Sequence, residues 1–396
     1  MQEVKTRIVL NHHRGGVFAD NQTHQIIKSR IDERDSAIEL LRIICMLFVV
    51  IQHVVNYSIF PEIEQADGHW TIGSYVAQCS KGFLCVAVDC FVLISGYFGI
   101  KFKLRHIANL YLTCAFYNLF AYVIHILLDD AVIGKSLILN VVFPFSHSTL
   151  WFINCYVMLF FYAPLLNAAV AYLNKKQHLI VILSLVFTNV YLGNFWQAPL
   201  YDLNGLSILN FMLLYLIGRY VNLYISQDTI NMHRWLWLII YVGCALFAGI
   251  GSDFDHIYHW TFWRGFTYNS LQMIFGALAL FLFAKSFRFH SRTINWIAVS
   301  TLAIYLGHEH AYVNHHLYRF IAELADTFFV EPYSLAVDAV CRLLYGIVIS
   351  VIIAAILVLF DKIRILLMKP IWKVYDKLVP KIFNKFVKPL FNKWYL

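Results

Sequence analysis

Long apolar runs separated by short polar connections fill the chain from about position 37 to about position 360. Each run approaches the length of about 20 residues that an α-helix needs to cross a hydrocarbon core. The pattern predicts helices over 37–60, 74–99, 106–128, 150–172, 179–193, 205–220, 235–251, 267–284, 296–318 and 336–360. The segment 131–148 is too short to span comfortably and is predicted to be interfacial or re-entrant. The expected fold is all-α, a polytopic membrane bundle of about ten transmembrane helices.

The composition supports a membrane fold. Of the 396 residues, 60% are hydrophobic and 14% are charged, whereas a soluble domain carries roughly a quarter charged residues. A water-soluble fold of this composition could not cover its own surface. Soluble classes of protein are therefore excluded.

Basic residues are divided unequally between the two sides of the predicted bundle. With the N-terminus inside, most of the 31 lysines and arginines fall in the N-terminal segment, the inner connections and the C-terminal tail. The outer connections carry mainly acidic residues. Because cytoplasmic connections of membrane proteins are enriched in lysine and arginine, both termini are predicted to be cytoplasmic.

The domain organisation follows from the same pattern. Residues 1–36 are polar and hold six basic residues without an apolar core, so they are predicted to be a cytoplasmic segment and not a cleavable signal peptide. Residues 37–360 form one transmembrane domain. Residues 361–396 carry lysines at every fourth position from Lys369 with aromatic residues between them, which favours a basic amphipathic helix on anionic lipid. Prolines within this tail are expected to break that helix, at Pro370, Pro380 and Pro389.

The first predicted helix carries two candidate functional groups, Arg42 and His53. Eleven steps of about 100° return to within roughly 20° of the starting direction, so both side chains project from one face, about 16 Å apart along the axis. An arginine near the cytoplasmic boundary could bind the phosphates of a cytosolic donor, and a buried neutral imidazole can remove a proton from a hydroxyl. The alternative for Arg42 is that its side chain only extends to the membrane interface. The alternative for His53 is that it is an interior histidine whose hydrogen bonds are satisfied within the protein. Glu39, one turn before Arg42, could orient the guanidinium or be a helix-end charge.

A second set of basic residues follows the second predicted helix. After the small pair Ser95-Gly96, which permits close helix approach, a tight connection holds Lys101, Lys103, Arg105 and His106. Membrane topology alone explains such a cluster. Its position on the same side as Arg42 also leaves open a shared anionic pocket.

Metal and disulfide chemistry are not indicated. The eight cysteines all lie in apolar stretches, where they act as small hydrophobic residues. His308 and His310 flank Glu309, but histidines two residues apart point to different helix faces, which argues against a metal site.

Four stretches together resemble the acyltransferase-3 family of membrane O-acyltransferases. They are the first-helix segment IELLRIICMLFVVIQH, the segment VDCFVLISGYF at 88–98, STLWFINCYVMLFFYAPLL at 148–166 and STLAIYLGHEHAYV at 300–313. The resemblance covers most of residues 35–360. The family's usual acid before the Ser-Gly pair corresponds to Asp89.

The resemblance implies an activity and its residues. A member takes an acyl group, commonly acetyl from cytoplasmic acetyl-CoA, and passes it to a hydroxyl of a glycan or another component of the bacterial envelope. The roles carry over best to Arg42 and His53 as catalytic residues, less firmly to Lys103 and Arg105 as donor-binding residues, and then to Glu309. His53 would act as general base or become acylated and relay the group; the sequence leaves both open.

The expected partners follow from this activity. They are the donor acetyl-CoA, a glycan or lipid-linked sugar acceptor and membrane lipid, with no metal and no nucleic acid. The outer aromatic residues Trp196, Trp260 and Trp263 are candidates for stacking on sugar rings. The competing functions are a transporter or flippase of a lipid-linked glycan, which broken helices would favour, and a glycan polymerase, which would normally have a larger outer loop.

Overall fold

A computed structural model describes residues 35–60, 65–66, 69–129, 134–145, 150–197, 204–258, 265–329 and 335–382. Nearly all of the predicted N-terminal segment lies outside these residues, and so do Trp260, Trp263 and the chain after Ile382.

The described chain is almost entirely helical. The first half contains α1 (Ser36–Val54), which continues as a π-helical turn over Val55–Ile59, then α2 (Ile72–Leu84), α3 (Ala87–Phe98), α4 (Leu104–Asp129), α5 (Lys135–Val142), α6 (Trp151–Tyr172) and α7 (Lys175–Val186), which continues as a π-helix over Phe187–Phe195. A minimal antiparallel pair, β1 (Gln65–Ala66) and β2 (His69–Trp70), lies between α1 and α2.

The second half begins with α8 and ends with a helix of 47 residues. Its elements are α8 (Ile208–Tyr224), α9 (Gln227–Met232), α10 (Arg234–Tyr258), α11 (Leu271–Lys285), α12 (Arg292–Ala298), α13 (Thr301–His308), α14 (Ala311–Asp326) and α15 (Ala336–Ile382).

Seven helical segments among the described residues are long and apolar enough to cross a membrane. They correspond to α1, α2 with α3, α4, α6, α7, α10 and α15, and α8 and α11 are shorter apolar helices. The prediction of an all-α, multi-pass membrane fold is confirmed. The count of ten spans and the cytoplasmic position of both termini stay predictions.

The predicted ninth helix, 296–318, is not continuous. It is divided among α12, α13 and α14, with a break at Glu309 and His310. His310 takes an extended backbone conformation and caps α14, its side chain accepting a bond from the amide of Tyr312. A histidine that bonds to the start of the next helix competes with continuation of the first. The expectation of one regular helix here was wrong.

The C-terminal helix is longer than expected. α15 passes through Pro370 and Pro380 without ending, so the predicted breaks at these prolines are wrong. Proline removes one backbone donor but does not always end a helix. At about 1.5 Å per residue a helix of this length extends about 70 Å, over twice the roughly 30 Å hydrocarbon core. Its last turns therefore lie beyond the core.

Small residues bring the central helices together. Gly96 on α3 lies directly against the backbone of Tyr215 on α8, and Gly218 on α8 lies against the backbone of Leu93. A side chain at either glycine would collide with the opposite helix, because main-chain atoms cannot move aside. α1 packs against α3, α11, α13 and α15, which places it at the centre of the bundle.

Candidate active site

A cavity of about 270 Å³ lies beside α1, between α3, α6 and α13. Arg42 and His53 both line it, so the two groups that share one face of α1 open into the same space. Residues from all four stretches that resemble the acyltransferase-3 family form its wall, among them Ser95 on α3, Trp151 on α6 and Tyr305 on α13. The cavity is therefore where those separated stretches meet.

Arg42 marks one end of this cavity. Its Nη1 donates to Oε1 of Glu39 at 3.2 Å, and the side chain of Glu39 is only 10% exposed, against 33% for Arg42. Glu39 lies one turn earlier on α1 and orients the guanidinium. The fork of a guanidinium carries five N–H donors, so this single bond leaves donors for a phosphate.

His53 lies at the other end and belongs to a hydrogen-bonded cluster. Its Nδ1 is 2.9 Å from Oε2 of Glu309 and 3.2 Å from Nε2 of His308. The side chain of His53 is 20% exposed and that of Glu309 is 18% exposed. The imidazole is thus held by two groups while it still faces the cavity.

The hydrogen-bond partners determine which nitrogen of His53 carries the proton. His308 is fully buried, and its Nδ1 contacts the carbonyl oxygen of Ile304, which can only accept. Neutral His308 therefore carries its proton on Nδ1, and its Nε2 is an acceptor. Both neighbours of the His53 Nδ1 are acceptors, so we assign the His53 proton to Nδ1. Nε2 of His53 is then the basic nitrogen.

Glu309 is placed by the break between α13 and α14. It is the residue that caps the C-terminal end of α13, with its amide donating to the carbonyl of Tyr305. The hydroxyl of Tyr318 donates to the same Oε2 that contacts His53, at 3.1 Å. A carboxylate that receives two hydrogen bonds is fixed in position, so it can orient the imidazole and stabilise its protonated form.

The cluster also has the donor set of a metal site. One ligand atom each from His53, His308 and Glu309 lie within 4.8 Å of one another. Two histidines and one glutamate are ligands found at catalytic zinc sites. His308 even has the bond to a backbone carbonyl that commonly orients a ligating histidine. The same positions are equally explained by the hydrogen bonds described above.

The predicted donor-binding residues Lys103 and Arg105 do not line the cavity. Lys103 is exposed. Arg105 pairs with Asp376 at 2.5 Å and lies over the ring of Trp372, 5.1 Å from its centroid. The structure therefore joins Arg105 to the end of α15 and not to Arg42.

Asp89, the acid before the Ser-Gly pair, is fully buried in α3. Neither carboxylate oxygen has a hydrogen-bond partner among the described residues. The cavity is lined by its neighbour Val88 and by Phe91. Asp89 thus lies behind the wall and not on it.

Sequence reasoning missed the roles of His308 and Tyr318. His308 entered it only as half of a pair of histidines two residues apart, and Tyr318 had no pattern that distinguished it from other tyrosines. The His308 contact depends on how α13 packs against α1, and the Tyr318 contact depends on how α14 continues after the break. Local spacing encodes neither. His310, the other half of that pair, caps α14 instead.

Comparison with known proteins gives one match. The acyltransferase-3 family model, described as an acyltransferase domain, matches residues 35–360. No curated protein and no solved structure matches the chain. The matched range contains α1 to α14 and α15 as far as Phe360, and it includes every residue of the cavity.

Proposed function

Because the chain belongs to the acyltransferase-3 family, whose members are membrane acyltransferases, we propose that it transfers an acetyl group from cytoplasmic acetyl-CoA to a hydroxyl of an envelope or exported glycan. The proposed location is the bacterial cell membrane, and the acceptor is a free glycan or a lipid-linked sugar. The observation that carries the proposal is an oriented imidazole and a guanidinium that open into one cavity.

The donor needs both ends of this cavity. Acetyl-CoA carries phosphates at one end and a thioester at the other, joined by a long flexible arm. Arg42 and His53 are about 16 Å apart along α1, so one can bind phosphate while the other reaches the thioester. Arg42 is the residue proposed to bind the donor phosphates, because charge-assisted bonds from a guanidinium suit phosphate oxygens.

The chemistry uses Nε2 of His53 as a base. It removes the proton of the acceptor hydroxyl while the hydroxyl oxygen attacks the carbonyl carbon of the thioester. The tetrahedral intermediate collapses with cleavage of the carbon–sulfur bond, and the proton on His53 passes to the departing thiolate. Glu309 stabilises the imidazolium between these two transfers, which is the role of the acid in a histidine-based triad.

The same nitrogen also suits an acyl relay. In that version Nε2 attacks the carbonyl carbon of the thioester, the carbon–sulfur bond breaks and the thiolate leaves. The acceptor hydroxyl oxygen then attacks the acetyl group, the bond to Nε2 breaks, and the hydroxyl proton passes through the released imidazole to the thiolate. Rapid mixing with labelled acetyl-CoA in the absence of acceptor separates the two versions. Label bound to wild-type protein but not to a His53→Ala variant would favour the relay.

Lys103 and Arg105 are proposed as weaker donor contacts. They lie outside the cavity, so they would meet only the part of the donor that extends beyond it. Arg105 would have to share its guanidinium with Asp376. We therefore assign them a smaller role than Arg42.

A transporter or flippase of a lipid-linked glycan is the second candidate, and one observation favours it. The break between α13 and α14 resembles the discontinuous helices that form substrate sites in transporters. Carrying a sugar across the membrane, however, requires no general base with a free Nε2, whereas transfer of an acyl group to a hydroxyl does. The acyltransferase proposal explains that arrangement.

The decisive experiment uses purified protein in lipid vesicles with labelled acetyl-CoA and an envelope glycan fraction. We expect label to leave the thioester and appear as alkali-labile ester on the glycan, and we expect none with His53→Ala. Movement of a fluorescent lipid-linked glycan across the vesicle membrane without acetyl-CoA, and no ester formation, would support the flippase instead.

A further inference from the structure

An exposed tyrosine lies beside the proposed catalytic base. The ring of Tyr57 is centred 5.9 Å from that of His53, and 56% of the residue is exposed. His53, by contrast, is mostly buried. Tyr57 does not line the cavity shared with Arg42. His53 therefore lies between that cavity and the open surface at Tyr57.

An unusual backbone conformation positions Tyr57. α1 changes from α-helix to a π-helical turn at Val55, two residues after His53, and Tyr57 is in the middle of this turn. π-helical turns are rare and are frequent at functional sites. The turn packs against α14, and the hydroxyl of Ser58 donates to the carbonyl oxygen of Tyr318 at 2.9 Å. This bond fixes the turn to α14, whose Tyr318 hydroxyl donates to Glu309.

Tyr57 has a second aromatic ring behind it. Its ring is centred 5.1 Å from that of buried Tyr318, with a tilt of 33°. The Tyr318 hydroxyl donates to Glu309, which contacts His53. The exposed ring is thus connected to the catalytic base both directly and through Tyr318 and Glu309.

Tyr57 lies beside an imidazole, unlike a side chain surrounded by lipid, because the ring of His53 is centred 5.9 Å away. Polar side chains of this kind are costly in hydrocarbon. An exposed aromatic ring beside an imidazole, and linked through Tyr318 to a carboxylate, instead fits a ligand that has both C–H surfaces and hydroxyls.

We propose that Tyr57, supported by Tyr318, stacks against the pyranose ring of the acceptor and so presents one of its hydroxyls to His53. The face of an aromatic ring is electronegative and attracts the C–H bonds on one face of a sugar. This inference rests on the proposed function and names the acceptor site that it requires.

The test measures acceptor and donor kinetics separately in vesicles, using labelled acetyl-CoA and the envelope glycan fraction. For Tyr57→Ala and Tyr57→Leu we expect kcat/KM for the glycan to fall about tenfold or more, with KM for acetyl-CoA unchanged. Tyr57→Phe and Tyr57→Trp should stay within about threefold of wild type, because each retains an aromatic face. Tyr172→Ala, which removes a 91% exposed tyrosine at the end of α6, is the matched control.

The Tyr57→Leu variant distinguishes stacking on a sugar from simple apolar contact with lipid. If Tyr57→Leu transfers acetyl to the glycan as well as wild type does, the residue only needs to be apolar, and the inference is overturned while the proposed function stands. If wild type acetylates only a non-sugar acceptor, or transfers no label from acetyl-CoA, the proposed function fails and this inference fails with it. Loss in both Ala and Leu, with retention in Phe and Trp, supports the stacking site.

Discussion

Two segments build the site around His53 in opposite ways. α1 is regular from Ser36 to Val54, and its period alone places Arg42 and His53 on one face. The segment 292–326 is divided into three helices, and the break at Glu309 aims a carboxylate at a residue of another element. A regular helix spaces groups along a cavity, whereas a broken helix brings a group to a partner.

This difference predicts different consequences of mutation. Groups on α1 are proposed to touch the donor and the acceptor directly. Groups on the divided segment touch His53 and act through it. We therefore expect the largest losses of activity from substitutions on α1 and smaller losses from substitutions in the divided segment. Removal of metal ions by a chelator should cause no loss of activity.

The first prediction concerns His53. His53→Ala should lower kcat by about 1,000-fold or more, since it removes the group proposed to take the acceptor proton. The measurement is ester formation in vesicles, with insertion checked by the amount of protein in the membrane fraction. His290→Ala, an exposed histidine between α11 and α12, is the control. Near wild-type transfer by inserted His53→Ala protein would remove this assignment.

The second prediction compares Arg42 with the basic residues outside the cavity. Arg42→Ala should raise KM for acetyl-CoA by about 100-fold and abolish transfer at ordinary donor concentrations. Lys103→Ala and Arg105→Ala should change the KM for acetyl-CoA by no more than about fivefold, because exposed ion pairs contribute little binding energy. Initial rates at varied acetyl-CoA measure both. An equal effect at Lys103 would place the donor phosphates outside the cavity.

The third prediction tests the divided segment. Glu309→Gln keeps the shape of the side chain but removes the charge that stabilises the imidazolium, so kcat should fall about 10- to 100-fold with KM for acetyl-CoA unchanged. Steady-state rates give both constants. Glu323→Gln, at an exposed position on α14, is the control. If Glu309→Gln altered only the KM for the donor, Glu309 would act on binding and not on His53.

The fourth prediction concerns the cluster of His53, His308 and Glu309, where α1 meets the divided segment. Treatment with a chelator should leave the rate unchanged, because the proposed reaction needs His53 as a free base. Added Zn²⁺ should inhibit, since a metal on Nδ1 of His53 would force the remaining proton onto Nε2. Rates with chelator alone and with added Zn²⁺ check this. Loss of activity on chelation, restored by Zn²⁺, would show that His53, His308 and Glu309 hold a required metal.

Much of the fold followed from the sequence because lipid imposes a simple rule. A chain that crosses hydrocarbon must pair its own backbone groups, so long apolar runs become helices. The period of α1 is equally local, and it placed Arg42 and His53 on one side of the helix without any knowledge of neighbours. Local rules failed where interactions with neighbouring residues decided the outcome, as at His310, which caps α14, and at Pro370 and Pro380, which α15 accommodates.

The sequence by itself therefore determined a helical membrane protein and two groups on one helix face. Only the tertiary structure decided what surrounds them: that His308 and Glu309 both contact Nδ1 of His53, that Tyr318 fixes the carboxylate, and that Arg105 contacts Asp376. The physical reason is distance along the chain. Helix periodicity relates residues a few turns apart, whereas His53 and His308 are joined by packing across 255 positions.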